Sequence, residues 1–377
     1  YTTTVSFAED EWNYTAPTEF KALSAANLPD PTITDPGEYF NAVGYTGDGT
    51  AIGSGGNSIT GVGFQSDFTW IKNRDQADSH MLFDVIRGAT KVLHSNDTAV
   101  ETTESETLTS FDGDGFTLGS DVEVNTNTEN YISWNWKAGG AAVPNIDGTI
   151  SSTVSVNDDA GFSIVGYTGT GSAGTVGHGQ SGAPELFIVK STSNTGNWPA
   201  YHDAIGGTGQ VYLNLTNAQA TSSTYWNNTA PSSETFSLGT DSDQNGSSRD
   251  YIAYCFRSIP GYSKVFSFEG NGAADGIFVY LGFRPKFILY RNADQSGNSW
   301  PIWDDVRAPY NGRKKYLTAN ANNAENDLAT RELDFLSNGF KTRGTSTEVN
   351  RSGNTFVGIA FAERPFGGSN LPLGLAQ

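Results

Sequence analysis

The side chains that could do chemistry fall into a few short stretches. His202-Asp203 offers a base beside a carboxylate that could orient it. Hydrolysis by such a pair also needs a nucleophile on a strained elbow, and no Gly-x-Ser-x-Gly sits at a suitable strand–turn–helix. The matching places in neighbouring segments carry Phe83-Asp84 and Trp303-Asp304, so the Asp is the recurrent element. Holding a loop, or pairing with Arg87 or Arg307, is the reading favoured for it. Asp241-Ser242-Asp243-Gln244-Asn245-Gly246 alternates oxygens as a calcium loop does at its start, with Asp241, Asp243 and Asn245 as the ligands. The acid that should close such a loop is replaced by Ile252. A hairpin tip with Asn at positive φ accounts for the pattern without metal, so calcium stays open and no other cofactor is implied. Asp112-Gly113-Asp114-Gly115 reads as a tight turn.

Two further chemistries have residue requirements that the sequence can be read against. Glycan hydrolysis needs two facing carboxylates. Asp158-Asp159 and Asp304-Asp305 are adjacent, so on a strand they point to opposite faces, and a non-enzymatic chain is expected. Glycan binding needs exposed aromatic faces beside polar partners. Trp198, Trp226, Trp300 and Trp303 lie in loop-like sequence and are the candidate contacts, with core or unit–unit packing as the competing reading for each. The Gly-rich stretches lack the Lys-Ser/Thr and following helix of a phosphate loop.

These residues are placed by a pattern that occurs three times. A glycine is followed by an Asn six residues on and an aromatic strand start twelve residues on: Gly119–Asn125–Tyr131, Gly239–Asn245–Tyr251 and Gly344–Asn350–Phe356. The period, roughly a hundred residues, marks an array of units. The units open on Gly44-Tyr45-Thr46-Gly47, Gly166-Tyr167-Thr168-Gly169 and Ser267-Phe268-Glu269-Gly270. Each continues into an apolar run ending in a cation at Lys72, Lys190 or Arg291, a run type that predicts a strand covered on both faces. Each closes on an alternating strand from Tyr131, Tyr251 or Phe356. Strict alternation in the first copy predicts a half-buried strand with Tyr, Ser and Asn on one face. Helix is expected to be minor, with a turn or two between Ala319 and Leu336.

Composition narrows the classes. The chain has 377 residues, 44 glycines, 12% aromatics and only 17% charged residues, which describes a folded β protein. The formal charge is −19 and the 22 Lys and Arg are scattered, which argues against nucleic acid as a partner. No run approaches ~18 apolar residues, so no membrane insertion is expected. The single Cys255 leaves no intrachain disulfide and is expected to pack as a small apolar side chain. Tyr1 is not a start methionine, and Tyr1 to Phe7 alternates like a strand. The expectation is a piece of a longer product, or a processed form.

The long strings 71–96 (IKNRDQADSHMLFDVIRGATKVLHSN), 110–120 (SFDGDGFTLGS) and 131–140 (YISWNWKAGG) resemble repeats of large tailed-phage virion proteins common in marine phages. Stretches 161–179 and 225–241 resemble a second repeat type of that family, and the segment from Tyr262 to Arg291 with the C-terminal region resembles a third. Residues 5–31 are similar to the end of a SPRY-like domain. The resemblance implies a virion structural or fibre-type protein and supplies no catalytic residues.

The expected fold is mainly β, in tandem antiparallel β-sandwich (jelly-roll-like) units. The expected divisions are 1–40 (end of a SPRY-like domain plus linker), 41–140, 146–259 and 262–377, as stiff blocks whose linkers set their angles. The expected role is a fibre or decoration component of a phage particle, located in the virion. Its partners would be other virion proteins, copies of itself and host surface glycans. A polysaccharide-degrading tail spike and a secreted bacterial adhesin are the alternatives.

Overall fold

The computed structural model describes residues 30–367. The strand reading at Tyr1–Phe7 and most of the SPRY-like stretch lie outside them. The first unit contains β1 (Phe40–Thr46), β2 (Asn57–Thr60), β3 (Phe68–Asn73), β4 (Met81–Asp84), β5 (Lys91–Val92), β6 (Thr102–Thr103), β7 (Leu108–Asp112), β8 (Gly115–Leu118), α1 (Val122–Asn125) and β9 (Asn130–Trp136). The second contains β10 (Val143–Asn145), β11 (Ser152–Asn157), β12 (Phe162–Thr168), β13 (Gly174–Gly177), β14 (Leu186–Ser191), β15 (Pro199–His202), β16 (Gly209–Tyr212), β17 (Ala220–Thr221), α2 (Ser223–Trp226), β18 (Thr235–Leu238), α3 (Ser242–Asn245) and β19 (Asp250–Phe256). The third contains β20 (Ser263–Glu269), β21 (Phe278–Tyr280), β22 (Phe283–Asn292), β23 (Pro301–Asp304), β24 (Lys315–Thr318), β25 (Asn326–Asp327), β26 (Leu333–Leu336), β27 (Gly339–Thr342), α4 (Thr347–Asn350) and β28 (Thr355–Pro365).

All ladders between these strands are antiparallel, and the fold is mainly β with sandwich-type units. In each unit the closing strand lies between the opening strand and the cation-ending strand: β1-β9-β3, β12-β19-β14 and β20-β28-β22. Register is the same in all three. Tyr131 pairs with Tyr45, Tyr251 with Tyr167, and Phe356 with Phe268. The paired rings stack at 5.1, 5.2 and 4.9 Å. A smaller sheet (β2-β8-β7, β13-β18 or β21-β27-β26) covers the other face.

The units are not blocks on linkers. Alternation along each closing strand sends one set of side chains into its own sandwich and the other into a core common to all three units. Ile132, Trp134 and Trp136 face that common core, as do Ile252, Tyr254 and Phe256, and Val357, Ile359 and Phe361. The expected half-buried strand is therefore buried on both faces. Trp136, Phe256 and Phe361 hold corresponding positions and meet in a triangle, with ring centroids 6.4, 5.9 and 5.6 Å apart. A pseudo-threefold axis runs through this triangle. Packing, not linker geometry, sets the angles between units.

Among the described residues helix is confined to single turns, one of them inside the stretch the sequence suggested and the recurrent ones elsewhere. Ala319 to Leu336 contains only the 3-10 turn Ala329–Arg331. The recurrent helical turns are α1, α3 and α4, capped by Asp121, Asp241 and Ser346, whose side chains accept from the N–H groups of Glu123, Asp243 and Glu348. Among the described residues no helix is long and apolar enough to cross a membrane.

Candidate functional site

The Asn of the repeated pattern is a clamp. Asn125 Oδ1 accepts from the N–H of Asp48 at 2.9 Å, Asn245 from Thr170 at 2.9 Å, and Asn350 from Asn271 at 3.0 Å. Their amide groups donate onward to the same loop, to the carbonyls of Thr50, Ser172 and Ala273. In the first two units the amide also reaches the carbonyl of Gly119 or Gly239, at 2.8 and 2.6 Å. The Asn residues are fully buried, so the glycine-rich opening loop and the helical turn are joined by dry polar contacts. The glycines are fixed by crowding. A methyl group on Gly119, Gly239 or Gly344 would stand 2.7 Å or less from the backbone of Glu106, Thr224 or Thr330.

The Asp recurs in two units, not three. Strand register places His202, and not Asp203 as the sequence spacing suggests, at the position of Asp84 and Asp304. Asp84, His202 and Asp304 are all interface residues. Asp84 Oδ2 holds Arg87 at 2.5 Å and accepts from the Tyr254 hydroxyl of the second unit at 2.8 Å. Asp304 Oδ2 holds Arg307 at 2.6 Å and accepts from Trp134 Nε1 of the first unit at 3.1 Å. His202 takes the same place in the second unit. Its Nδ1 faces the Ala204 N–H and lies 3.1 Å from the Asp203 carboxylate. Its Nε2 faces the Gly358 carbonyl of the third unit at 3.3 Å, which can only accept, so Nε2 donates. That nitrogen is the one a catalytic base would need, and the ring is fully buried. The three contacts run in a cycle: first unit to second, second to third, third to first.

A second cycle runs through the position just before β4, β15 and β23. Trp198 Nε1 donates to the His94 carbonyl at 3.0 Å, Trp300 Nε1 to the Tyr212 carbonyl at 2.8 Å, and His80 Nε2 bonds the Thr318 carbonyl at 2.9 Å. Each bond crosses to the neighbouring unit. His80 Nδ1 accepts from Trp70 Nε1, which fixes Nε2 as the donor. Burial, reinforced by the Lys72 charge, holds this imidazole well below its ordinary pKa. The cations that end β14 and β22 also cross. Lys190 Nζ donates to Thr98 of the first unit at 3.2 Å, and Arg291 to carbonyls of Tyr212 and Leu215 in the second, at 3.1 and 3.2 Å. Lys72 differs, bonding its own unit's Asn73 and Gln76 carbonyls. Burial lowers Lys72 and Lys190 to about 8 and Arg291 to about 10.

The sequence-predicted sites dissolve into this framework. Trp198, Trp226, Trp300 and Trp303 are at most 2% exposed. Their indole N–H groups are bound to backbone carbonyls, Trp226 to Gly209 and Trp303 to Arg331. They pack units and cores and cannot stack on a sugar in this conformation. Of the calcium candidates, Asp241 caps α3, Asp243 binds the backbone and side-chain N–H groups of Asn197, and Asn245 is the clamp. A cation there would have to displace these bonds. The acid after each cap recurs in this role, since Glu123 and Glu348 accept from the Ser79 and Ser299 N–H groups. Glu104, Asp121 and Glu123 place oxygens within 4.8 Å of one another. Burial raises the pKa of Asp121 and Glu123. Cys255 is buried in the second sandwich, where burial pushes its thiol up.

The surface feature that sequence reasoning missed lies on the third unit. Phe278 and Tyr280 of β21 are 44% and 58% exposed, on either side of buried Val279. They border a groove of about 390 Å³ that runs along β20 from Lys264 to Phe268. The signal was the alternation of β21 itself.

Fold and contacts together define a β protein in which three sandwich units of one chain close around a pseudo-threefold axis. The chain belongs to the family described as a domain of unknown function, DUF7483, which matches residues 35–365. No curated protein matches it. The matched span begins at Asp35, which caps the turn before β1, and ends at Pro365, the last residue of β28. The family domain is thus the complete set of three units.

Proposed function

We propose that this chain is a non-enzymatic structural component of a tailed-phage particle, of fibre or decoration type. The observation that carries the reading is the use of the recurrent polar residues. The Asp/His and Trp/His series are buried and committed to holding the three units together, and the buried Asn clamps to holding the loops within each unit. What recurs is a device for rigidity, which suits a part that bears load. The resemblance of the long strings 71–96 and 131–140 to virion repeats supports the setting. Partners would be other particle proteins and further copies of the chain, and many copies would give avidity without a tight single site. Host glycans would have to be met by exposed side chains such as Tyr310, which is 71% exposed.

The test is purification of the particles followed by mass spectrometry and a density map. The chain should be found at fixed copy number, as a three-lobed block at a defined position. Its absence from purified particles would sink the proposal.

A further inference from the structure

The second sandwich differs from the other two at one edge. In the second unit β12 is covered by β11, paired from Ser152–Tyr167 to Asn157–Phe162. Just before β11, Ile150 enters between the two sheets. Its N–H bonds the Thr175 carbonyl at 2.9 Å, it bridges Val176, and its side chain is buried in that sandwich's core. In the third unit the register equivalents of β12 and β13 are β20 and β21, because Val279 pairs with Phe340 as Val176 pairs with Phe236. Among the described residues β20 is an edge of its sheet there, as β1 is in the first unit. Residues 257–262 between β19 and β20 are too few to build the covering hairpin that residues 137–161 provide for β12. The uncovered edge is the 390 Å³ groove, with buried Phe266 and Val279 beside exposed Lys264, Phe278 and Tyr280 and with Asp203 of the second unit.

We propose that this groove accepts an extended peptide strand from a partner protein, added antiparallel to β20 as β11 adds to β12. An aliphatic side chain of the partner lies over Phe266 and Val279, where Ile150 lies in the second unit. Open strand edges bind peptides in this way, with main-chain hydrogen bonds giving affinity and alternate side chains giving specificity. Charge selects the partner further. Val156 lies opposite Ser163 in the second unit, and Lys264 stands at the register of Ser163. The fitting strand therefore carries Asp or Glu six residues beyond its aliphatic residue. The inference does not depend on the particle assignment.

The probe is a synthetic peptide copying residues 148–157 with Val156→Asp, added to the full chain. Hydrogen-exchange mass spectrometry should show protection confined to residues 263–269 and 278–280. Lys264→Glu should weaken binding about tenfold, and a peptide with Lys in place of the Asp should restore it. Tyr280→Ala should weaken binding without moving the thermal midpoint. The proposal is overturned by no protection at millimolar peptide, by protection elsewhere, or by equal affinity for Lys264→Glu. It is also overturned if β20 is already as protected as β12 in the peptide-free chain, or if a saccharide protects these strands and the peptide does not.

Discussion

The hydroxyl of Tyr254, in the second unit, donates a 2.8 Å hydrogen bond to the buried carboxylate of Asp84 in the first. That carboxylate also accepts from the N–H groups of Ile86 and Arg87 and pairs with the Arg87 guanidinium. One side chain closes its own loop and joins two units. Tyr254→Phe removes a hydrogen bond to a charged group and should cost about 1.5–3 kcal/mol. Asp84→Ala leaves buried Arg87 with only the longer, 3.4 Å contact to Glu101 and should cost more, about 3–5 kcal/mol. Urea midpoints of the two variants check the order. An Asp84→Ala chain as stable as the parent would remove this contact from the account.

The clamp predicts a matching pattern within a unit. Asn245→Ala strands the Thr170 N–H and the Ser172 and Gly239 carbonyls. The loss should reach about 3 kcal/mol or more, since several buried groups lose partners together. Gly239→Ala should be comparably harmful, because the new methyl would stand 2.2 Å from the Thr224 carbonyl oxygen. Asn→Ala at Asn125 and Asn350 should behave alike. Thermal midpoints of the three Asn variants test the equivalence, and a silent Asn350→Ala would show that the third copy has abandoned the clamp.

This clamp is also where the sequence was most legible. The Gly–Asn–aromatic spacing survives three times because each member touches a backbone that cannot move. The expected strands from Tyr131, Tyr251 and Phe356 follow for the same reason. The common core was not legible. Alternation in Ile132, Trp134 and Trp136 says that two faces differ, not what covers the second. The tryptophans misled because Trp198 and Trp226 sit among Asn, Thr and Gly, a loop composition, while tertiary contacts bury them. The helical turns were hidden because four residues hold no apolar period, and only the caps Asp121, Asp241 and Ser346 announced them.

Stability should rise with pH in a defined window. Lys72 and Lys190 are lowered from an ordinary 10.5 to about 8 by burial. Between those values the unfolded chain binds protons that the folded chain does not, so raising the pH favours folding. Buried Tyr45, Tyr167 and Tyr290 act oppositely. Their hydroxyls are raised above the usual 10, so above that pH the unfolded chain ionises first and stability falls. The urea midpoint should climb from about pH 8 and turn over near pH 10. Lys190→Met should flatten the climb. A midpoint that only falls above pH 8 would show that both ammonium groups are better solvated than their burial implies.

The shared core makes the three units one cooperative body. Excision of residues 146–259 would expose Ile252, Tyr254 and Phe256, each nearly buried in the whole chain. Burial of such a side chain contributes about 1.5–3 kcal/mol, and three together approach the whole stability of a typical domain, about 5–15 kcal/mol. The excised unit also loses the Arg291 and Trp300 donors that satisfy the Tyr212 carbonyl. The whole chain should therefore unfold in a single urea transition, with the fluorescence of its buried tryptophans and its far-ultraviolet circular dichroism changing together. The excised segment should lack a transition of its own. Three resolved steps in the whole chain, or an excised unit that melts at the parent temperature, would mean that each sandwich is sufficient by itself and that the Trp136–Phe256–Phe361 triangle adds little.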